Sequence, residues 1–295
     1  MRASCLMIAM LLCAAAFGAD DNRFEQTVAA DPHGAVEISD GSGSITVTGW
    51  DRSQVAVSAV LDNPAMKVQI TSEHGRTLVS VGHAGVSFSG GDARLTVRIP
   101  QDGELDATTV SAKLSTAGLR GRQRLRTVSG NVIADVGAGD TEVNTVSGDI
   151  RLRGEGAPSV LHIESVSGDV NLEHGSGDVE ATTISGDLRI DVDPAHNVRL
   201  RTTSGDLSFS GSLQRDATVE GESIKGDLKL RAQADGGFVY EVSSFSGDIK
   251  DCFGQEAGHT GAHAPGQRLS GTRGAGSAHV RLKSLSGDVD LCDHK

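Results

Sequence analysis

The chain has 295 residues, a formal net charge of −12, 38 glycines, 6 prolines and only 3% aromatic residues. An acidic surface without a basic stripe repels polyanions, which excludes nucleic acid and an anionic membrane surface as partners. Few aromatic side chains and many glycines argue against a conventional compact core and for a stack of turns.

Residues 1–18 read as a signal peptide, with Arg2, an apolar run from Cys5 to Ala16 and the small-x-small sequence Ala16-Phe17-Gly18. The run is about a dozen residues, whereas a span needs roughly 20, so no membrane span is expected after cleavage near Gly18. A lipid anchor on Cys13 fits poorly, because Leu12 stands where a small residue is wanted. The mature protein is therefore expected in the periplasm or at the cell surface. Residues 19–30 read as a flexible segment. Residues 31–104 contain strand-like stretches at 35–38, 44–48, 55–60, 67–71, 78–81 and 94–99 without a repeat, and read as a β-rich cap. Pro100 and Gly103 punctuate the junction that follows.

From 105 to 295 a period takes over. Eight copies of a short motif carry Gly130-Asn131, Gly148-Asp149, Gly168-Asp169, Gly186-Asp187, Gly205-Asp206, Gly226-Asp227, Gly247-Asp248 and Gly287-Asp288. Each pair follows Ser, or in one copy Lys225, and Thr109-Val110-Ser111-Ala112-Lys113 is a degenerate first copy. Between the third residues of successive copies the steps are 18, 18, 20, 18, 19, 21, 21 and 40. All but the last fit coils of constant circumference. Apolar residues four before the third position (Val143, Ile163, Leu200, Val242, Leu282) and Ser or Thr two before it alternate with period 2. So do the apolar residues one and three beyond the Asp, as in Ile150 and Leu152 or Leu228 and Leu230. Each coil then holds two short strands with one face inward, and helix is excluded. Gly139-Asp140 and Gly177-Asp178 lie midway between motif copies and mark a second turn. The predicted fold is an all-β solenoid of 18–21-residue coils, roughly 40 Å long if the rungs lie about 4.8 Å apart.

The motif is explained by turn formation. Gly supplies φ > 0, and the Asp or Asn accepts a backbone N–H in a short side-chain turn. A calcium-binding carboxylate ladder of Asp149, Asp169, Asp187 and Asp206 is the rival reading. The Gly-Gly-x-Gly-x-Asp nonapeptide repeat of calcium rolls is absent, however, and turn chemistry is preferred.

Cys5 and Cys13 leave with the signal peptide, and Cys252 and Cys292 remain in a compartment that permits disulfides. The last step of 40 residues contains a Gly-, His- and Ala-rich stretch, 254–276, with no strand pattern. It allows either two coils or one coil with a loop over 253–279. Each cysteine lies four residues beyond its Asp. On adjacent rungs the two Cα atoms would be about 5 Å apart, within bonding range; two rungs apart, at about 10 Å, they could not bond. One coil plus a loop, stapled by Cys252–Cys292, is expected, with about 4 kcal/mol of stabilisation from closing a segment of about 41 residues.

No cofactor, metal ligand or catalytic group is expected. His259 and His263 are four apart, but a Gly-rich loop does not place them on one helix face, and His279 and His294 lie further along. Asp187, Asp191 and Asp193 form the best acidic group for a polysaccharide-acting β-helix enzyme, yet only Trp50 and Tyr240 offer large polar aromatics for sugar.

The chain resembles the bacterial putative-adhesin β-repeat family, exported domains of unknown biochemical function. Residues 43–55, opening on Gly43-Ser44-Ile45-Thr46-Val47, look like its first hairpin, and Leu95-Thr96-Val97-Arg98-Ile99-Pro100 is similar to the strand that leads into its coils. The closing Asp248 and Cys252, and Asp288 and Cys292, are similar to a variant of proteobacterial members. The resemblance covers about residues 31–295 and implies a β-solenoid in the envelope. The function expected is that of a non-catalytic, adhesin-like binding or structural scaffold with an envelope protein or a glycan as partner. Alternatives are an accessory or sensor module of an envelope-stress system and a β-helix enzyme.

Overall fold

A computed structural model describes residues 22–83, 91–255, 257–259 and 266–292, and all regular structure among them is β-strand. The signal-peptide residues 1–18, with Cys5 and Cys13, and also His263 and His294, lie outside the described residues.

The repeat builds a solenoid of parallel, in-register strands. Ahead of the Ser-Gly-Asp corner, Gln123–Thr127 pairs with Thr141–Ser147, which pairs with Ser159–Ser167 and so on along the stack. Beyond the corner, Val132–Val136 pairs with Ile150–Gly154 and with the start of each later coil. Equivalent residues therefore lie in rows: Leu125, Val143, Ile163, Ala181 and Leu200 form one such row, and all are buried. Where that row reaches Gly221, the Leu282 side chain fills the space that a Cβ would take. The midway turns are present, with Gly177 at φ 97° and Asp178 accepting from the Asn197 N–H at 3.0 Å.

Three expectations are corrected. The segment 19–30 is not flexible throughout: Arg23–Ala29 pairs antiparallel with Gln54–Leu61, because Phe24 and Val28 alternate on one face and pack on the core. The boundary at 104 does not separate cap from coils. Ala35–Asp40 and Gly43–Trp50 form a coil whose strands run parallel to Glu104–Thr109 and Lys113–Ala117. On its other side lie Arg76–His83 and Ala93–Pro100, also parallel. This coil turns on Ser39-Asp40-Gly41-Ser42-Gly43, with Gly43 at φ 112°, and so lacks the motif.

The third correction concerns 253–279. Within it Gln267–Gly274 is a strand, antiparallel to Gly237–Ser246, and covers that edge. Its Gly271 and Gly274, and its exposure on every residue but Leu269 and two half-buried ones, remove the alternation that would have revealed it. The coils also do not follow chain order here. Ala278–Ser286 lies between the 218–225 stretch and Gly237–Ser246, so the last motif copy is inserted between the Gly226 and Gly247 copies rather than stacked beyond the latter. Cys252 and Cys292 remain on adjacent rungs and are bonded, with Cα atoms 5.0 Å apart.

A row of small polar side chains runs inside the corner: Thr109, Thr127, Thr145, Ser165, Thr183, Thr202, Ser223, Ser284 and Ser244, all buried. Asp40 continues this row beside Thr109. Neither Asp40 oxygen makes a hydrogen bond of ordinary geometry. Burial pushes its pKa from 3.8 to about 6; the Gly41 and Ser42 amides offset part of that, and Asp92 adds to it. The folded-state pKa is raised, so the native protein binds this proton more tightly than the unfolded chain. The associated stability is full below pH 3.8 and is lost as pH rises through about 6. The loss amounts to about 3 kcal/mol at most. We expect Asp40→Asn to raise the midpoint of urea unfolding at pH 7.5 and to leave it nearly unchanged at pH 4; equal effects at both values would contradict the assignment.

Candidate functional site

At the corner, Gly148, Gly168, Gly186, Gly205, Gly226, Gly247 and Gly287 have φ between 140° and 158°, a region open to glycine. Gly130 is not in that region; its N–H donates to Thr127 Oγ1 at 2.9 Å. Stacking adds a second demand. A Cβ on Gly205 would sit 2.2 Å from the Gly186 carbonyl oxygen, and one on Gly226 would sit 2.0 Å from that of Gly205.

Each acidic side chain reaches across to the next rung rather than closing a turn within its own. Asp206 N–H donates to Asp187 Oδ1 at 3.0 Å, and Asp227 N–H to Asp206 Oδ1 at 2.9 Å. The chain of acceptors runs from Asn131 through Asp149, Asp169, Asp187, Asp206, Asp227 and Asp288 to Asp248. Gln267 Nε2 ends it by donating to Asp248 Oδ1 at 3.1 Å. Arg151 and Arg189 pair with Asp149 and Asp187 at 3.2 and 2.8 Å. These amides and guanidinium groups offset the repulsion between carboxylates one rung apart.

The other acidic residues are spread out. Asp191 accepts from Ser210 Oγ at 2.9 Å, and Asp193 is paired with Ser212. Trp50 Nε1 donates to the Gln54 carbonyl, and Tyr240 is buried beside Phe238 and Phe253 with its hydroxyl on Asp251. Burial keeps the Tyr240 ring from serving as a sugar platform, and the Arg52 guanidinium lies over the Trp50 ring at 5.2 Å. His259 lies in the short strand Gly258–His259 and His279 in Ala278–Ser286. Among the described residues no three His, Cys, Asp or Glu side chains come together to hold a metal.

The feature missed in the sequence is the second position of the motif. Val110, Val128, Val146, Val166, Ile184, Ile224, Leu285 and Phe245 are between 37% and 56% exposed and lie one per rung, with Thr203 between Ile184 and Ile224. The signal was parity: the residue before the third position falls on the outward phase of an alternation whose inward residues were already assigned. Two positions back, the outward row is Arg126, Asn144, Glu164, Thr182, Arg201, Glu222 and Lys283, with Glu222 paired to Arg201 and Lys283 at 3.3 and 3.5 Å. A further two back, Arg124, Glu142, His162, Glu180, Arg199, Glu220, Arg281 and Glu241 alternate basic and acidic. Arg124 holds the Glu142 carboxyl below its ordinary range. Over the last coils the apolar row borders a groove of about 570 Å³ lined by Ile184, Arg201, Ile224, Phe245, Lys283 and Arg268.

The family model matches residues 30–237, from the end of the strand Arg23–Ala29 to the start of the strand Gly237–Ser246. The chain belongs to the Toastrack DUF4097 family. No curated protein matches it. A crystal structure of a "putative adhesin" from Bacteroides fragilis aligns over 92% of this chain and 98% of its own at 9% identity, with a TM-score of 0.38. One from Parabacteroides merdae aligns over 92% and 96% at 11% identity, with a TM-score of 0.34. A "putative lipid binding protein" from Parabacteroides distasonis aligns over 92% and 97% at 10% identity, with a TM-score of 0.33.

Gly205→Ala is expected to cost about 3 kcal/mol or more in chemical denaturation, since both φ and the rung below resist a methyl group. A loss under about 0.5 kcal/mol would refute the column argument. Asp206→Ala, which removes the acceptor for the Asp227 amide, is expected to cost about 1 kcal/mol, and Asp206→Asn, which keeps an acceptor, much less; equal losses would show that the inter-rung bond contributes little.

Proposed function

We propose that this member of the Toastrack DUF4097 family is a non-catalytic, adhesin-like scaffold of the bacterial envelope that binds another envelope component, a protein or a glycan. One observation carries the reading: an apolar row runs along a corner beside two outward rows that are charged and largely ion-paired. Water-exposed Val, Ile, Leu and Phe in a contiguous line mark an interaction surface. The signal-like leader and the Cys252–Cys292 bond support export. The carboxylates that would serve a hydrolase are held by main-chain amides, arginines and serines.

The test is cell fractionation followed by capture on the purified mature protein, from intact cells and on a glycan array, beside the triple variant Ile184→Ser, Ile224→Ser, Leu285→Ser. The variant should keep its thermal unfolding midpoint and lose at least about tenfold in capture. Recovery of the native protein only in the cytoplasm, turnover on a polysaccharide panel, or undiminished capture by the variant would overturn the reading.

A further inference from the structure

The occupant of the apolar row can be narrowed by its spacing. Val110, Val128, Val146, Val166, Ile184, Thr203, Ile224, Leu285 and Phe245 follow one another at the distance between hydrogen-bonded strands, about 4.8 Å, over nine rungs. Side chains on one face of an extended peptide recur every ~6.8 Å, and the turns of a helix every ~5.4 Å. Both fall out of step by a full rung or more along a row of roughly 40 Å. A surface with the same rung spacing stays in step throughout, and a second copy of this chain has that surface.

Area and charge agree. The row alone is a narrow strip, but with one outward row on each side it spans roughly 40 by 20 Å, or about 800 Å². That is about what each partner contributes to a specific interface of standard size. The row itself has no charged side chain; on one side the adjoining Arg126, Glu164, Arg201, Glu222 and Lys283 carry both signs, and on the other the aspartate column accepts main-chain N–H groups and is paired at Asp149 and Asp187 with Arg151 and Arg189.

We infer that the apolar row is the contact of a two-fold dimer in which two solenoids lie side by side, row against row, with their rungs in step. This rests on the reading of the row as a binding surface and names its partner. In a two-fold dimer that overlaps the whole row, its central residue, Ile184, meets its own copy. Twofold symmetry would also give each scaffold two copies of any remaining binding face, raising avidity without new contacts.

The experiment is sedimentation velocity on the mature protein from about 1 to 100 μM, beside Ile184→Asp with Ile224→Asp and, as a milder pair, Ile184→Thr with Ile224→Thr. Thr already occupies the row at position 203, so the second pair folds if the first does not. The native protein is expected to sediment at twice the monomer mass within this range. The aspartate pair should be monomeric, with dimer dissociation at least about a hundredfold easier, and the threonine pair intermediate. Ile184→Cys should give a disulfide-linked dimer on mild oxidation, and Glu73→Cys, on a strand outside the row, should not. A native protein that stays monomeric overturns the inference. If it is monomeric and capture of an envelope component still depends on Ile184, Ile224 and Leu285, the partner is a different molecule and the proposed function stands. If neither association nor capture depends on the row, both fall.

Discussion

Stacking identical positions one above another at the spacing of hydrogen-bonded strands is the constraint from which the remaining features follow. In such a stack every side chain has as its nearest neighbours the residues that occupy its own place in the coils above and below. From Gly130 onward the corner is glycine on every rung, because each would-be methyl group points at the carbonyl of the neighbouring rung, the first of them that of Ala112. A carboxylate at one place puts carboxylates in a column, and the column persists because each accepts the main-chain N–H of the next. Outward charged positions alternate in sign from rung to rung for the same reason, as Arg124, Glu142, His162 and Glu180 do.

Much of this was legible. The spacing of Gly148, Gly168, Gly186 and Gly205 gave coils of the observed size, and the alternation around them identified which residues face inward. The pairing of Cys252 with Cys292 followed from their equal offsets from Asp248 and Asp288. The coil of residues 35–50 escaped notice because it turns on Asp40-Gly41-Ser42-Gly43 and carries no copy of the motif. The order of the last coils was not legible at all: sequence distances give the circumference of a coil, whereas its neighbours are chosen by packing, and a 40-residue step is long enough to pass over one coil and return.

The acidic residues show how a conspicuous motif can carry a structural role. Asp149, Asp169, Asp187 and Asp206 are the most regular feature of the chain, and one oxygen of each accepts the main-chain N–H of the next rung. The valines and isoleucines before them look unremarkable in a strand-rich sequence. They become informative only once the phase of the alternation is known, because on the outward phase an apolar side chain has no packing role to explain it.

The insertion of residues 278–292 between two earlier coils has a mechanical side. The strand Val289–Cys292 is hydrogen-bonded on both flanks, to Leu228–Gln233 and to Ile249–Asp251, and is tied covalently to the outer one. A pull on the C-terminal end therefore loads a rung held from two sides, while the outer rung is itself covered by Gln267–Gly274. Because 278–292 lies between the 218–233 and 237–251 stretches, this end of the stack is complete only with 278–292 in place. A protein that grips one surface while anchored elsewhere would have in that arrangement a latch that resists tension along the chain.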